Sequence, residues 1–407
     1  MRVLLVAPTT DPTDVGEAWV AAQWAERLGH RHEVTLLTYR KRSRPSAVDA
    51  LPHVRVVEWV EPPLLGRAER LNSLMKPAYL PFHVRARRWI RDATARGEHF
   101  DVAHQPLPVA MRYPTPLCGQ GVPYVLGPVG GSLVAPPALD AEDTAPWWTG
   151  LRRVDAWRMR HDRALRAGYA GAACVLGIAP YVAESLAPVP LRRFEVLSET
   201  ALRELPPATP RSAPRPGEPL RLLFVGRLIR TKGARDAVAA LAHLRDLPVV
   251  LDVVGDGFDR GPCERLALDL GVADRVRFHG TQPREQVDRF YAQADVFVFP
   301  SYREPGGNVA YEAMGHALPA VVVDRGGPGE AVTNACGIKV AAHTPAQLAR
   351  DLAAAVRRLA EDPAARLGMG RAARERVATT GLWDHKIDRV SGLYEQLARE
   401  EAARVRP

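Results

Sequence analysis

The chain has 407 residues, of which 25% are charged and 46% are hydrophobic. It is therefore too long for one ordinary domain and too apolar to be disordered. No run of 18 apolar residues occurs, and the first residues lack the pattern of a signal peptide, so we expect neither a membrane span nor a leader. Four cysteines without a C-x-x-C pair argue against a zinc cage and a disulfide framework. These features predict a cytoplasmic protein of two or three domains.

The net charge of +9 comes from 55 basic against 46 acidic residues, and only five of the basic residues are lysines. Such an excess is compatible with nucleic acid, a membrane surface or an anionic substrate as the partner. It is equally compatible with a composition in which arginine fills solvated positions. No recognised nucleic-acid-binding module accompanies the charge, so we expect no nucleic-acid partner.

Short apolar runs alternate with amphipathic helical stretches from the start of the chain. Nearly continuous Val, Leu and Ile runs indicate strands that are covered on both faces, as in parallel sheets. The predicted strands are 3–7, 34–38, 54–60, 122–126 and 174–178, then 222–225, 249–254, 276–279, 296–299 and 320–323. Helical patterns include 17–28, 234–244 and 286–294, and three more helices follow residue 345. This order predicts an α/β protein with two doubly wound domains.

The predicted boundary between the domains is a proline-rich stretch. Residues 205–219 contain six prolines and no apolar periodicity, which is typical of a semi-stiff linker. We therefore predict a Rossmann-like domain over 1–204, a second one over 220–382, and a last helix over 383–407 that crosses back to the first domain. Ligands of such domains bind at the carboxyl ends of the strands.

A cluster of cations lies where the first strand of the second domain turns into a helix, in LLFVGRLIRTKGARDAV. Gly226 ends the strand, Arg227 and Lys232 follow within the turn, and Gly233 leads into the helix. Cations beside a helix N-terminus, whose free N–H groups add positive charge, suit a phosphorylated ligand. By itself, the segment could also be a solvated loop of a basic protein.

A second strand–loop–helix segment, PSYREPGGNVAYEAM, carries two carboxylates. Glu304 lies in the loop before Gly306 and Gly307, and Glu312 follows eight residues after Glu304 on the helix. Glycines let a ligand approach the backbone, and Asn308 can cap the helix or donate a hydrogen bond. Carboxylates accept hydrogen bonds from hydroxyls, which is how proteins hold ribose or hexose. The two segments together predict a site for a phosphorylated ligand that also carries hydroxyls.

G-R-L-x3-K-G at 226–233, followed by P-S-x2-E-x7-E-A-M-x3-L-P-A-V at 300–321, resembles glycosyltransferase family 4. The resemblance covers most of 220–395, whereas the first half matches only in layout. It implies the GT-B fold, with two Rossmann-like domains that face a central cleft and C-terminal helices that pack back. It also implies a retaining hexosyltransferase with a UDP-sugar as the expected co-substrate, without a metal or another cofactor. A sugar-nucleotide epimerase of the same fold is the alternative.

The resemblance also implies roles for single residues. Arg227 and Lys232 correspond to the pair that binds the donor diphosphate, and Glu304 corresponds to the acid that holds the transferred sugar. These three are the predicted catalytic residues, and Glu312 corresponds to the acid that accepts from the ribose hydroxyls. The other implied donor-binding residues are Gly16, Gly226, Gly255, Thr281, Gln282, Gly306, Gly307, Asn308 and Val309.

The loop after the first strand, PTTDPTDVGEAW, is acidic. One interpretation is that Asp14 caps the following helix and that the acids complement its dipole. The other is that Asp11, Asp14 and Glu17 form a pocket that selects a cationic acceptor such as an aminocyclitol. Further candidates for the acceptor site are His104, where the family often has a histidine, and the backbone N–H groups of Gly130 and Gly131, where many relatives have a histidine instead.

Tryptophans and arginines are concentrated over residues 147–166. A basic amphipathic helix with aromatic flanks can lie on an anionic bilayer, here the inner face of the membrane. The segment can equally be an ordinary helix whose arginines are solvated over a buried aromatic stripe. The expected acceptor is a small molecule, a glycan or a lipid.

Overall fold

The structure, a computed structural model, describes residues 1–14, 16–41, 44–62, 76–131, 133–142, 153–208 and 218–405. Most of the predicted linker 205–219 and the first part of the 147–166 segment lie outside the described residues, including Trp147, Trp148 and Arg152. None of the helices within the described ranges is long and apolar enough to cross a membrane.

Strands and helices alternate in the first half of the described chain. The strands are β1 (Arg2–Thr9), β2 (Glu33–Arg40), β3 (Val54–Val60), β4 (Val102–Gln105), β5 (Tyr124–Val129), β6 (Cys174–Gly177) and β7 (Phe194–Val196). The helices are α1 (Glu17–Gly29), α2 (Ala47–Ala50), α3 (Tyr79–Ala95), α4 (Pro137–Asp140), α5 (Arg153–His161), α6 (Arg163–Gly171) and α7 (Tyr181–Ser185).

The second half repeats this alternation and ends in long helices. Its strands are β8 (Leu220–Val225), β9 (Val249–Val254), β10 (Val276–Gly280), β11 (Val296–Phe299), β12 (Ala320–Val323) and β13 (Gly337–Val340). Its α-helices are α8 (Ala234–Leu241), α9 (Arg260–Asp269), α10 (Arg284–Gln293), α11 (Asn308–Gly315), α12 (Gly326–Ala331), α13 (Pro345–Glu361), α14 (Pro363–Thr380) and α15 (Trp383–Val405).

The described chain divides into two compact units. The N-terminal unit comprises 1–131, 153–199 and 383–405, and the C-terminal unit comprises 133–142, 200–208 and 218–382. The last helix, α15, thus belongs to the N-terminal unit. The short helix α4 belongs to the C-terminal unit, although the predicted first domain had included it. Its partners are distant in sequence, since Tyr302 Oη donates to the carbonyl of Leu139 over 3.4 Å.

Each unit contains one sheet in which all strand pairs are parallel. The strand orders are β3-β2-β1-β4-β5-β6-β7 and β10-β9-β8-β11-β12-β13. In both sheets the order reverses beside the first strand, between β1 and β4 and between β8 and β11. Ligands of open α/β sheets bind in the crevice at the carboxyl ends of the strands at such a reversal. The crevice between β8 and β11 is called here the switch-point crevice.

The buried strands explain why the apolar runs are continuous rather than alternating. Every residue of β11 and β12 is buried, as expected where helices cover both faces of a parallel sheet. Burial of one such Val, Leu or Phe side chain contributes about 1.5–3 kcal/mol to folding. These rigid central strands hold the loops that follow them in place.

Candidate functional site

The turn after β8 brings Arg227 and Lys232 to the carboxyl edge of the second sheet. It closes with a 3₁₀ turn over Arg230–Lys232 and with Gly233 in the left-handed region at φ 79°. A Cβ atom at Gly233 would lie 2.4 Å from the carbonyl oxygen of Pro300, so only glycine fits there. Ser301 Oγ donates to the carbonyl of Thr231 over 3.0 Å. The β8 turn is therefore fixed against the loop that follows β11.

Arg230 supports this turn from the inside. Its side chain is 1% exposed and donates to both carboxylate oxygens of Asp236, over 2.5 and 3.0 Å. Its Nε donates to Glu142 over 2.9 Å. Sequence reasoning selected Arg227 and Lys232 in this turn and missed Arg230. Nothing in the sequence distinguishes a buried arginine from the many exposed ones.

Lys232 and Glu304 meet in the switch-point crevice. The Lys232 ammonium donates to Glu304 Oε2, and the two side chains are only 13% and 14% exposed. Burial, with the nearby positive charge of Arg227, lowers the pKa of Lys232 to about 8. Arg227 itself is exposed. The two predicted segments, 72 residues apart, are thus joined by a direct ion pair.

The loop of Glu304 rests on a glycine-rich turn that sequence reasoning did not assign. Gly327 N donates to the carbonyl of Glu304 over 3.0 Å. A Cβ at Gly327 would lie 1.9 Å from the carbonyl oxygen of Gly306, and one at Gly326 would lie 2.1 Å from that of Glu304. The run R-G-G-P-G, which begins two residues after the end of β12, was the available signal for this support.

Helix α11 begins at the same crevice. Its N-cap is Gly307 at φ 75°, and no side chain caps it. The first N–H groups of any helix, here those of Asn308 and Val309, have no acceptor within the helix and form its positive end. The Asn308 side chain does not cap the helix, because its Nδ2 donates to Glu312 over 3.0 Å. This end of α11 is suited to an anionic ligand.

Glu312 is held by three donors of the protein. Its Oε1 accepts from Arg284 Nη1 over 2.6 Å and from Asn308, and its Oε2 accepts from Tyr291 Oη over 3.0 Å. Burial, followed by the charge of Glu312, raises the pKa of Tyr291 well above its usual value. The partners Arg284 and Tyr291 were missed, because neither lies in a glycine-rich loop.

The ends of β9 and β10 adjoin the β8 turn. Gly255 N donates to the carbonyl of Gly280 over 2.8 Å, and a Cβ at Gly255 would lie 1.9 Å from the carbonyl oxygen of Gly226. Thr281 is exposed just beyond β10, and Gln282 Nε2 donates to the carbonyl of His279 over 2.6 Å. The residues predicted for the nucleobase therefore lie at the same sheet edge as those predicted for the phosphates.

In the N-terminal unit, each acid of the loop after β1 faces a cation of the protein. The pairs are Asp11 with Arg44 at 3.7 Å, Asp14 with Lys41 at 3.2 Å and with Arg44 at 3.6 Å, and Glu17 with Lys76. The N-cap of α1 is Gly16 at φ 71°, without a side-chain cap, so the interpretation of Asp14 as a cap is wrong. A cationic acceptor at these three carboxylates would have to compete with the cations of the protein that already pair with them.

His104 has a structural position. Its side chain is fully buried, with Nδ1 2.5 Å from Tyr394 Oη and Nε2 2.5 Å from the carbonyl oxygen of Gly127. Burial lowers the pKa of His104 to about 4, so the ring is neutral at pH 7. The carbonyl can only accept, hence Nε2 donates and Nδ1 accepts from Tyr394. His104 thus joins β4 to α15, and both of its ring nitrogens already have partners in the protein, which contradicts its prediction as an acceptor-binding residue.

The backbone donors predicted for the acceptor are also used within the N-terminal unit. Gly130 N donates to the carbonyl of Val109 over 2.7 Å, and Gly131 N donates to Tyr181 Oη over 3.2 Å. A ligand at Gly131 would have to replace the Tyr181 hydroxyl. Within the described ranges, no group of three His, Cys, Asp or Glu side chains could hold a metal ion.

The described part of the 147–166 segment forms two helices rather than one. Asp162 separates them and caps α6 by accepting from Ala164 N and Leu165 N, each over 3.1 Å. Trp157 is 61% exposed, which contradicts the buried aromatic stripe at this position. Arg158 donates to the carbonyl of Arg112 over 2.9 Å and is therefore not simply solvated.

Comparison with known proteins gives a family match for part of the chain. The family described as Glycosyl transferases group 1 matches residues 207–376. A glycogen synthase of Mycobacterium tuberculosis is 37% identical over 191 residues, which cover 46% of this chain and 45% of that protein. The match thus spans less than half the length of this curated relative.

Solved structures match nearly the whole chain. A sucrose-phosphate synthase from Thermosynechococcus elongatus aligns with a TM-score of 0.66 at 22% identity and covers 97% of this chain and 98% of its own. The Anabaena protein HepE in complex with UDP aligns with a TM-score of 0.62 at 16% identity. This alignment covers 97% of the present chain and 100% of the HepE chain. Together with the two parallel α/β units, these likenesses confirm the predicted GT-B fold.

Proposed function

We propose that the protein is a retaining glycosyltransferase of family 4 that transfers a hexosyl group from a UDP-sugar to a hydroxyl of its acceptor. The observation that carries the proposal is the meeting of Lys232 and Glu304 in the switch-point crevice, beside the uncapped start of α11. A cation, a buried carboxylate and a helix N-terminus at one point suit a ligand that is anionic at one end and rich in hydroxyls at the other. A nucleotide-sugar has this chemistry.

The diphosphate of the donor would bind to Arg227, Lys232 and the first N–H groups of α11. Each charge-assisted hydrogen bond of this kind contributes about 1.5–3 kcal/mol. The same groups would stabilise the negative charge that develops on the leaving nucleotide, so the proposed chemistry needs no metal ion. Activity should accordingly persist after treatment with EDTA, and its loss would contradict this part of the proposal.

The two carboxylates would hold the sugars of the donor. Glu304, whose backbone rests on Gly326 and Gly327, would accept from hydroxyls of the transferred hexose. Glu312 would accept from the ribose. Its three protein donors leave about one of the roughly four acceptor positions of a carboxylate for a ribose hydroxyl. Gly255, Thr281 and Gln282 would border the base.

Retention would follow from substitution on one face of the sugar. The bond from the anomeric carbon to the diphosphate breaks, the bond to the acceptor oxygen forms on the same face, and the acceptor proton passes to an oxygen of the leaving diphosphate. No carboxylate has to act as a nucleophile, which fits the engagement of Glu304 with Lys232. Nuclear magnetic resonance of the product tests this step, because an inverted anomeric configuration would exclude it.

The donor class is the first point to test. HepE, a neighbour in fold, was solved with UDP, which supports a uridine nucleotide for this chain too. In a thermal-shift panel of UDP, GDP, ADP and TDP, UDP should raise the melting temperature most, because ligand binding to the folded state stabilises it. The proposed donor would be wrong if another base gave the largest shift.

The acceptor would be a small molecule, a glycan or a lipid-linked sugar, bound in the N-terminal unit of a cytoplasmic enzyme. An epimerase would convert the donor sugar without any acceptor, so incubation with the donor alone separates the two activities. For a lipid acceptor, the exposed side chains of Val154 and Trp157 on basic helix α5 support contact with an anionic membrane. Flotation with anionic vesicles tests this contact, and equal flotation of Trp157→Ala would refute it.

A further inference from the structure

Lys232 and Glu304 are each other's charge partner within a crevice that largely excludes water from both side chains. The backbone that carries each of these two side chains is held in place. Gly233 pins the turn of Lys232 against the carbonyl of Pro300, and the turn Gly326–Gly327 pins the loop of Glu304. A diphosphate that binds Lys232 therefore brings its negative charge beside Glu304 and weakens the pairing of Glu304 with the same ammonium group.

We infer that this ion pair makes the site discriminate between the intact nucleotide-sugar and the nucleoside diphosphate that remains after transfer. The inference rests on the proposed function, in which the diphosphate binds Lys232 and the sugar binds Glu304. Glu304 thus has a second role as an internal competitor of the diphosphate, in addition to holding the transferred sugar.

The discrimination follows from what each ligand offers to Glu304. When a diphosphate takes Lys232, a carboxylate that is largely buried loses its cation, which is strongly unfavourable. A nucleotide-sugar compensates this loss, because its sugar hydroxyls donate hydrogen bonds to Glu304. A nucleoside diphosphate lacks the sugar and leaves Glu304 without a replacement.

The same competition favours release of the product. Once the hexosyl group has left with the acceptor, the donors to Glu304 are gone while the diphosphate still occupies Lys232. Re-formation of the ion pair then displaces the diphosphate. Inhibition by the nucleoside diphosphate is accordingly weaker than it would be at a site with the same cations but without the competing carboxylate of Glu304.

The test compares UDP with UDP-glucose by isothermal titration calorimetry on the full chain. In Glu304→Gln, which keeps the shape but removes the negative charge, UDP should bind about tenfold tighter than in the wild type. UDP-glucose should bind equally or more weakly, so that the ratio of the two dissociation constants changes by at least about tenfold. Lys232→Met should weaken both ligands.

Asp246→Asn is the matched control, because Asp246 pairs with Arg357 on the exposed surface of the same unit, and UDP binding should not change. If Glu304→Gln fails to fold, Glu304→Asp shortens the carboxylate by one methylene and should tighten UDP in the same direction. UDP binding by the wild type without a gain in the Glu304 variants overturns the inference alone. No binding of UDP or UDP-glucose by the wild type would overturn the proposed function and the inference with it.

Discussion

Lysine is scarce in this chain, and each of the five lysines makes a specific contact rather than only adding solvated charge. The contacts are Lys41 with Asp14, Lys76 with Glu17, Lys232 with Glu304, Lys339 with Asp324, and Lys386 with the carbonyl of Ser198. Arginine supplies the other basic side chains. The position of each lysine therefore says more about function than the net charge of +9 does. A lysine ammonium is a compact point charge whose pKa responds to burial.

The pKa of Lys232 predicts how donor binding depends on pH. Burial and Arg227 lower that pKa to about 8, so the ammonium loses its proton as the pH rises through this value. The affinity for UDP should fall between about pH 7.5 and 9.5, because a neutral amine attracts the diphosphate less. In Lys232→Arg the decline should be absent from this range, since a guanidinium keeps its proton. Calorimetric titrations across the pH range measure both profiles, and identical slopes would contradict the assignment.

At the scale of the element, loops are positioned by other loops. The loop before α11 contains residues proposed to bind the ligand, and its path depends on the turn at the start of α12, where Gly326 lies at φ 58°. The β8 turn likewise depends on Gly233 and on Arg230, which is buried against Asp236. The catalytic geometry proposed here thus depends on backbone contacts that involve no ligand-binding side chain.

Gly327→Ala should damage the site without unfolding the protein. Its Cβ would lie 1.9 Å from the carbonyl oxygen of Gly306, so the Glu304 loop must shift. We expect UDP-glucose affinity to fall about tenfold or more, together with a loss of about 1–3 kcal/mol in stability. Gly392→Ala is the control, because nothing lies within 4 Å of its added Cβ and alanine favours a helix. Equal donor affinity in the two variants would show that the glycine turn does not position Glu304.

At the scale of the whole molecule, the chain order and the compact units do not coincide. Helix α15 is the last element of the sequence, yet it belongs to the N-terminal unit. There Trp383 packs edge-to-face on Trp24 at 5.5 Å, and Tyr394 reaches His104. The N-terminal unit therefore includes a segment that follows the whole C-terminal unit along the chain.

Trp383→Ala should destabilise the N-terminal unit by about 3–5 kcal/mol, the usual cost of removing a fully buried tryptophan. Trp157→Ala serves as the control of identical chemistry, since the Trp157 side chain is 61% exposed and its loss should change stability by less than about 0.5 kcal/mol. Chemical denaturation monitored by circular dichroism measures both values. A small effect of Trp383→Ala would contradict the role assigned to α15.

Sequence patterns by themselves determined the elements whose signal is local. Continuous apolar runs predicted ten of the strands, because a strand that is covered on both faces needs an apolar residue at almost every position. The spacing of Glu304 and Glu312 around a glycine loop predicted one carboxylate in the loop before a helix and the other near the start of that helix, because the two positions are only eight residues apart in one segment.

Which side chains become partners depends on how the folded chain packs. The ion pair of Lys232 with Glu304 joins loops 72 residues apart, and the pairing of Glu312 with Arg284 depends on how α10 packs beside α11. Burial made His104 structural, and the cations Lys41, Arg44 and Lys76 pair with the acids of the loop after β1. The sequence specifies the charge and chemical type of each side chain. Whether that side chain is available to a ligand depends on neighbours that come close only when the chain folds.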